Sequence, residues 1–280
     1  MRKLLACIDA SSYAASVMDS AAWAAGRLEA SIEILHVIQR NDAVAVRHDL
    51  SGAVGLGAKS ALLEELVSID EAEAKLARER GRVMLAVAEE RLRERGFTDI
   101  LTTHRHGGIV ETVIEREEEA DMVVIGKRGA SSAFAKEHLG SKVERVVRES
   151  IRPVLVASQV FRAPEQVMIA FDGGASSRKA LEFVADSPLF RGLGVRVVMA
   201  GAGGSSRQKH MDWATGRLAG ATVEHIGGGA EEALPKYLEE HRVGMLVMGA
   251  YGHSPLRRLI VGSTTTQMMQ NCHVPILLFR

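Results

Sequence analysis

The chain is predicted to be an α/β protein of two tandem doubly wound domains, each a five-stranded parallel sheet with helices on both faces. Three observations lead there. Short runs that are apolar nearly throughout, as strands buried on both faces must be, alternate with stretches whose apolar residues recur every three or four positions, as on an amphipathic helix. Five landmarks occur in the same order in each half, an internal repeat whose period is a whole domain. A length of 280 residues also suffices for two domains that each bury a core.

In the first half, the run Leu4 to Ile8 ends at Asp9 and leads through a Ser-containing turn into an Ala-rich helical stretch. Ile32 to Ile38 reads as the second strand and Ile100 to His104 as the third, followed by a helix carrying Val110, Val113 and Ile114. Met122 to Ile125 is the fourth, and Arg152-Pro153-Val154-Leu155-Val156 opens the fifth. The second half repeats this: Val167 to Phe171 ending at Asp172, Val195 to Ala200, Thr222 to Ile226, a helix with Ala233, Leu234, Tyr237 and Leu238, Met245 to Met248, and Val274-Pro275-Ile276-Leu277-Leu278. The polar stretch Ser158 to Gln166, with Pro164, separates domains expected at 1–160 and 165–280. About forty additional residues follow the second strand of the first half: a Gly-containing stretch, Ser51 to Lys59, and a charged, helix-favouring segment from Ala61 to Arg95. That segment is long enough to call for a break. It reads as a loop plus a solvated helix, with no specific residue marking a lid or a dimer contact.

Lysine plus arginine (35) balances aspartate plus glutamate (35), so there is no overall basic field to hold nucleic acid or an anionic membrane. Two cysteines, Cys7 and Cys272, offer neither a disulfide framework nor a metal cluster, and a reducing cytoplasm is the expected setting. Arg2 to Cys7 superficially resembles a lipoprotein cleavage box, but three apolar residues before the cysteine fall short of the roughly 7–15 in an export signal. No apolar run approaches the ~20 residues that span a bilayer.

The sharpest motif lies near the C-terminus. Gly249, two residues, Gly252, nine residues, then Gly262-Ser263-Thr264-Thr265 follow an apolar strand and lead into a helix. Glycines let the backbone approach a ligand closely, and free N–H groups and hydroxyls at a helix start attract an anion such as phosphate. The first half has Gly126, Gly129, Gly140 and Ser141, with ten residues between the last two glycines. One inserted residue there can displace the converging N–H groups, so this copy is expected to bind more weakly or to be a relic. Lys127 and Arg128 set two cations beside its glycines, where the second half has Ala250 and Tyr251.

With these motifs and the repeat, the chain resembles the universal stress protein family over nearly its whole length, in a tandem arrangement. The spacing of Gly249, Gly252, Gly262 and Ser263 matches the family's nucleotide-binding members, and each half begins with a strand ending in aspartate. The resemblance implies a Rossmann-like, adenine nucleotide alpha hydrolase-like fold. It also implies ATP or AMP as ligand, with Mg²⁺ an optional companion of the phosphates. Asp9 and Asp172 are placed at the adenosine end, backbone groups near Val37 and Ala200 against the adenine, and Ser263 and Thr264 at the phosphates. Each aspartate has a plainer alternative as cap of the following helix. Arg257 and Arg258 could neutralise phosphate or simply be solvated. By the same resemblance, Val154 to Ala157 pairs with Ile276 to Phe279 to form an intramolecular pseudodimer.

No catalytic or metal residue is assigned. His36, His104, His106, His138 and His253 show no helical i, i+4 pair with a carboxylate between, as a zinc site would; only His253 adjoins the phosphate loop. Phe171-Asp172-Gly173-Gly174-Ala175-Ser176-Ser177 approaches the Ser-Gly-Gly-x-Asp-Ser loop of ATP pyrophosphatases with its serine and acidic positions wrong, and the His-x-Gly-His signature of nucleotidyl transferases is missing. Three readings stay open: an adenine-nucleotide sensor read by a partner protein, a scaffold acting by protein contacts alone, and a slow ATPase. Association of two whole chains is left open too.

Overall fold

The computed structural model describes residues 2–39, 56–129, 140–250 and 263–280. Ten strands form one sheet: β1 (Arg2–Ile8), β2 (Ala30–Ile38), β3 (Ile100–His106), β4 (Met122–Gly126), β5 (Val154–Ala157), β6 (Gln166–Ala170), β7 (Gly194–Ala200), β8 (Thr222–Ile226), β9 (Met245–Gly249) and β10 (Ile276–Phe279). The helices are α1 (Ala14–Leu28), α2 (Leu56–Arg93), α3 (Ile109–Glu117), α4 (Ser141–Glu149), α5 (Ala175–Asp186), α6 (Ser205–Arg217), α7 (Ala230–Glu240) and α8 (Ser263–Asn271), with a 3₁₀ turn at Pro188–Phe190.

The strand order β3-β2-β1-β4-β5-β10-β9-β6-β7-β8 is the same order written twice, once reversed. Pairing is parallel within each half. The halves meet through β5 and β10, antiparallel, with Leu155 opposite Leu277. This is the pairing the resemblance implied, and it makes the chain an intramolecular pseudodimer.

Alternation along each strand explains how one sheet feeds two cores. Leu4, Ala6 and Ile8 join the cluster containing Val17 and Met18 of α1, Leu85 and Leu92 of α2, and Leu181 of α5. Leu5 and Cys7 point the other way, to Val113 of α3, Val146 of α4, Leu238 of α7 and Met268 of α8. Both cores run through both halves. Burial, then the nearby Glu33 and Glu117 carboxylates, push the Cys7 thiol far up, so it is an inert core group.

The segment expected to need a break is a single 38-residue helix, α2. It contains no proline, and ion pairs such as Arg82 with Glu79 (2.7 Å) and Arg93 with Glu89 (2.6 Å) lie along it. Leu85, Ala88 and Leu92 bury its C-terminal part. Gly81 lets it pass over the sheet, since a Cβ there would lie 2.5 Å from His104 Nε2 and 2.7 Å from His36 Cδ2. Burial first, then the neighbouring His36 and His106 rings, hold His104 below the ordinary imidazole range.

Candidate functional site

In both halves the order of the sheet reverses between the first and fourth strands of the repeat, β1 beside β4 and β6 beside β9. The helix after β1 packs on one face and the helix following β4 on the other. Loops leaving the carboxyl ends therefore part and leave a crevice.

In the first half the expected residues converge there. Asp9 Oδ1 accepts the Ser11 N–H (3.0 Å), and Ser11 Oγ accepts the Tyr13 N–H (3.3 Å), which shapes the turn into α1. Gly126 abuts that turn so closely that a Cβ would lie 2.7 Å from Tyr13 Cβ. At Gly129 a Cβ would sit 3.0 Å from Asp9 Oδ2, and at Gly140 one would sit 3.8 Å from the Gly129 nitrogen. Gly140 is the N-cap of α4 and brings no side-chain cap, while Ser141 begins the helix in an exposed position. Val37 is buried beside Arg105 of β3, and the adjacent His36 donates its Nδ1–H to Ile8 O (3.0 Å).

Lys127 departs from the sequence expectation. Its ammonium is turned away from the glycines and donates to Gln270 O (2.7 Å) and Cys272 O (2.9 Å), at the C-terminal end of α8 in the other half. A helix C-terminus presents unpaired carbonyls and partial negative charge, which a cation satisfies. Burial lowers the amine to about 8, with Arg128 contributing in the same direction, while the Cys272 thiol is pushed up to about 12 by its own burial.

The second half repeats the skeleton with different polar fittings. A Cβ on Gly249 would lie 2.6 Å from Ser176 Oγ and 2.7 Å from the Ser177 nitrogen, so this glycine, like Gly126, lets the loop pass over the start of the helix after the first strand. Asp172 Oδ1 accepts from the Gly174 N–H (2.8 Å) and from Ser177 Oγ (2.6 Å), an Asx turn that leads into α5, whose N-cap is Gly174 and has no side-chain cap. Arg178 donates to Gly173 O (2.9 Å) and lies 4.3 Å above the Trp213 ring, which stacks on Phe171 at 5.7 Å. Arg207, in the first turn of α6, donates to Ala200 O, the backbone acceptor expected to read adenine. His225 Nε2 donates to the neighbouring Gly201 O (2.7 Å). At the phosphate end Thr264 Oγ1 donates to Glu231 Oε1 (3.3 Å). Gly252, Gly262, His253, Arg257, Arg258 and His138 lie outside the described residues.

Sequence reasoning missed Arg207 and the Arg178–Trp213 pair, because α6 and α5 carry no motif that singles them out. Among the described residues, no group of three or more His, Cys, Asp or Glu could hold a metal ion, and no helix is long and apolar enough to cross a membrane.

Two tandem doubly wound units joined edge to edge through β5 and β10, with close-packed glycines ending the fourth strand of each, define the class as an α/β protein built on a repeated parallel sheet. The family model described as the universal stress protein family matches residues 1–158 and 202–280, and the chain belongs to that family. It is 34% identical over 287 residues to Universal stress protein Slr1230 of Synechocystis, covering 100% of both chains. Among solved structures it is similar to a universal stress protein from Archaeoglobus fulgidus (18% identity, TM-score 0.66, covering 99% of this chain and 98% of that one). A second likeness is to a universal stress protein from Pseudomonas aeruginosa (15% identity, TM-score 0.67, covering 100% and 93%). At these identities the two structures speak for the fold.

Proposed function

We propose that the chain binds an adenine nucleotide, ATP or AMP, at the carboxyl-end crevices of units 1–160 and 165–280, and acts as a sensor rather than an efficient enzyme. The observation that carries the reading is the approach of Asp9, Gly129 and Gly140 to one another at the reversal point of the first-half sheet, where Gly126 ends β4. There the carboxylate can accept ribose hydroxyls, while the uncapped start of α4 offers N–H groups to phosphate.

In the second half, the family spacing from Gly249 to Ser263 supports the same role, with Asp172 at the sugar end and Ser263 and Thr264 at the phosphates. Glu231 beside Thr264 opposes a bare phosphate. Oxygen donors of this kind suit a Mg²⁺ accompanying the phosphates, which would relieve that repulsion. Arg207 already occupies one lone pair of Ala200 O and competes with a base for that carbonyl. A bound nucleotide that favours one of two states of the chain would present a partner protein with a changed surface.

Mass spectrometry of small molecules released from freshly purified protein is expected to find an adenine nucleotide. Calorimetric titration of Gly129→Val and Gly252→Val variants then apportions binding between the halves. The reading fails if nothing is released and neither ATP nor AMP binds at about 1 mM, the weak end of small-ligand affinity.

A further inference from the structure

Helix α2 bears two unlike faces. Gly81, Leu85, Ala88 and Leu92 are buried against the first-half sheet and α1. On the other side Ile69, Leu76, Val83 and Val87 stand 42%, 49%, 53% and 64% exposed. Ile69, Leu76 and Val83 are spaced at sevens, so on a helix they form one stripe, and Val83 and Leu85 are about 200° apart around the axis. Everything described from Glu71 to Glu73 and from Arg78 to Arg80 is exposed as well. An apolar stripe that stands exposed among the described residues marks an interaction surface.

The charges beside the stripe select its occupant. Glu73 lies before Leu76 and Arg80 after it, about 60° and 40° round the same side of the axis from the stripe. When this helix meets an antiparallel copy of itself about a two-fold axis near Leu76, Leu76 packs on its own copy and Ile69 lies level with the partner's Val83. Glu73 then comes level with the partner's Arg80, to within one residue's rise of about 1.5 Å. A second such pair follows from the axis, as an isologous interface requires. Lys75 faces its own copy near the axis, a long exposed side chain for which like charge costs little.

We propose that α2 is a self-association surface, through which two copies of the whole chain dimerise by antiparallel pairing of their Ile69–Leu76–Val83 stripes. The stripe from Ile69 to Val87 is about 27 Å long, which places the contact at the small end of specific interfaces and its dissociation constant at roughly 1–10 µM. The apolar stripe supplies the affinity, and the charge pattern selects the antiparallel register over the parallel one. Because the buried face of α2 points away, pairing leaves its packing on the sheet undisturbed.

The test uses the full chain without nucleotide, so it stands apart from the binding reading. Sedimentation equilibrium is expected to show a monomer–dimer exchange, weakened at least tenfold in Leu76→Glu, with unchanged circular dichroism in both proteins. A Glu73→Lys variant and an Arg80→Glu variant are each expected to associate at least tenfold more weakly alone and to form a one-to-one heterodimer when mixed. A wild-type chain that stays monomeric at roughly 100 µM, well above the expected constant, overturns the proposal. So does a dimer indifferent to Leu76→Glu, or a pair of charge variants that do not recover association on mixing.

Discussion

Glu33 on β2 and Arg196 on β7 occupy equivalent places in the two halves, opposite Leu5 and Met168 of the first strands. Glu33 is fully buried and is held by Lys3 (2.5 Å), Arg116 (2.8 and 2.9 Å) and Thr103 (2.8 Å). Arg196 is partly exposed and is held by Tyr237 (3.1 Å) and Glu224 (3.5 Å). A buried polar position needs a satisfied and nearly neutral surrounding, and either sign meets that need. The duplicated fold therefore keeps its apolar positions while its polar fittings diverge. The site ends follow suit, with Arg207 on Ala200 O and Lys127 on Gln270 O each belonging to one half only. The family model leaves 159–201 unmatched, and that stretch carries Asp172, Arg178 and Arg196.

The strongest way to break this comparison is at its polar centres. Glu33→Ala strands Arg116 and Lys3 and is expected to cost about 3–5 kcal/mol in urea unfolding, whereas Arg196→Met, at a partly exposed site, should cost about 1 kcal/mol. Burial raises the Glu33 carboxyl, but Arg116 and Lys3 outweigh it and the net shift is downward from 4.5. Its stabilisation is thus complete above that value and is lost as pH falls through the lowered one, so an acid melt of wild type should be steeper than one of Glu33→Gln.

Next in size, Gly249→Ala drives a Cβ into Ser176 and the backbone of Ser177, and should cost about 2–3 kcal/mol by thermal or urea melts. Lys127→Met leaves two helix-end carbonyls without their donor, for a loss of about 2 kcal/mol near neutral pH. Since Lys127 is lowered from 10.5 to about 8, the folded chain binds fewer protons than the unfolded one between those values. Stability rises with pH across that window in wild type, and this rise should vanish in the variant. The smallest effect is on binding: Arg207→Ala frees Ala200 O and is expected to tighten adenine-nucleotide binding by the second half about tenfold, near 1.4 kcal/mol. Titration in a Gly129→Val background reads that half alone.

The strands were legible because apolar runs and their repetition record burial on both faces. β8 lies at Thr222–Ile226, where the sequence reading put it, and the β5–β10 pairing followed from the family resemblance. In the sequence Gly126 and Gly249 read as letting the backbone approach a ligand, whereas the close approach the structure shows is to Tyr13 and to Ser176 and Ser177. The fates of Lys127 and Arg207 were not legible, because each depends on which carbonyl lies within reach after distant segments have docked. Local pattern also misjudged α2: its length called for a break, but tertiary burial of Leu85, Ala88 and Leu92 together with ion pairs along the helix sustains it.

The bond from Lys127 to the end of α8 has no reciprocal, since the equivalent residue in the second half is Ala250, whose N–H bonds to Phe279 O just as that of Lys127 bonds to Ala157 O. Two identical subunits meeting across the same axis would have to carry either two buried lysines or none. Covalent fusion removes that obligation. Each half can then change alone, and two carboxyl-end crevices that symmetry would keep alike are free to differ.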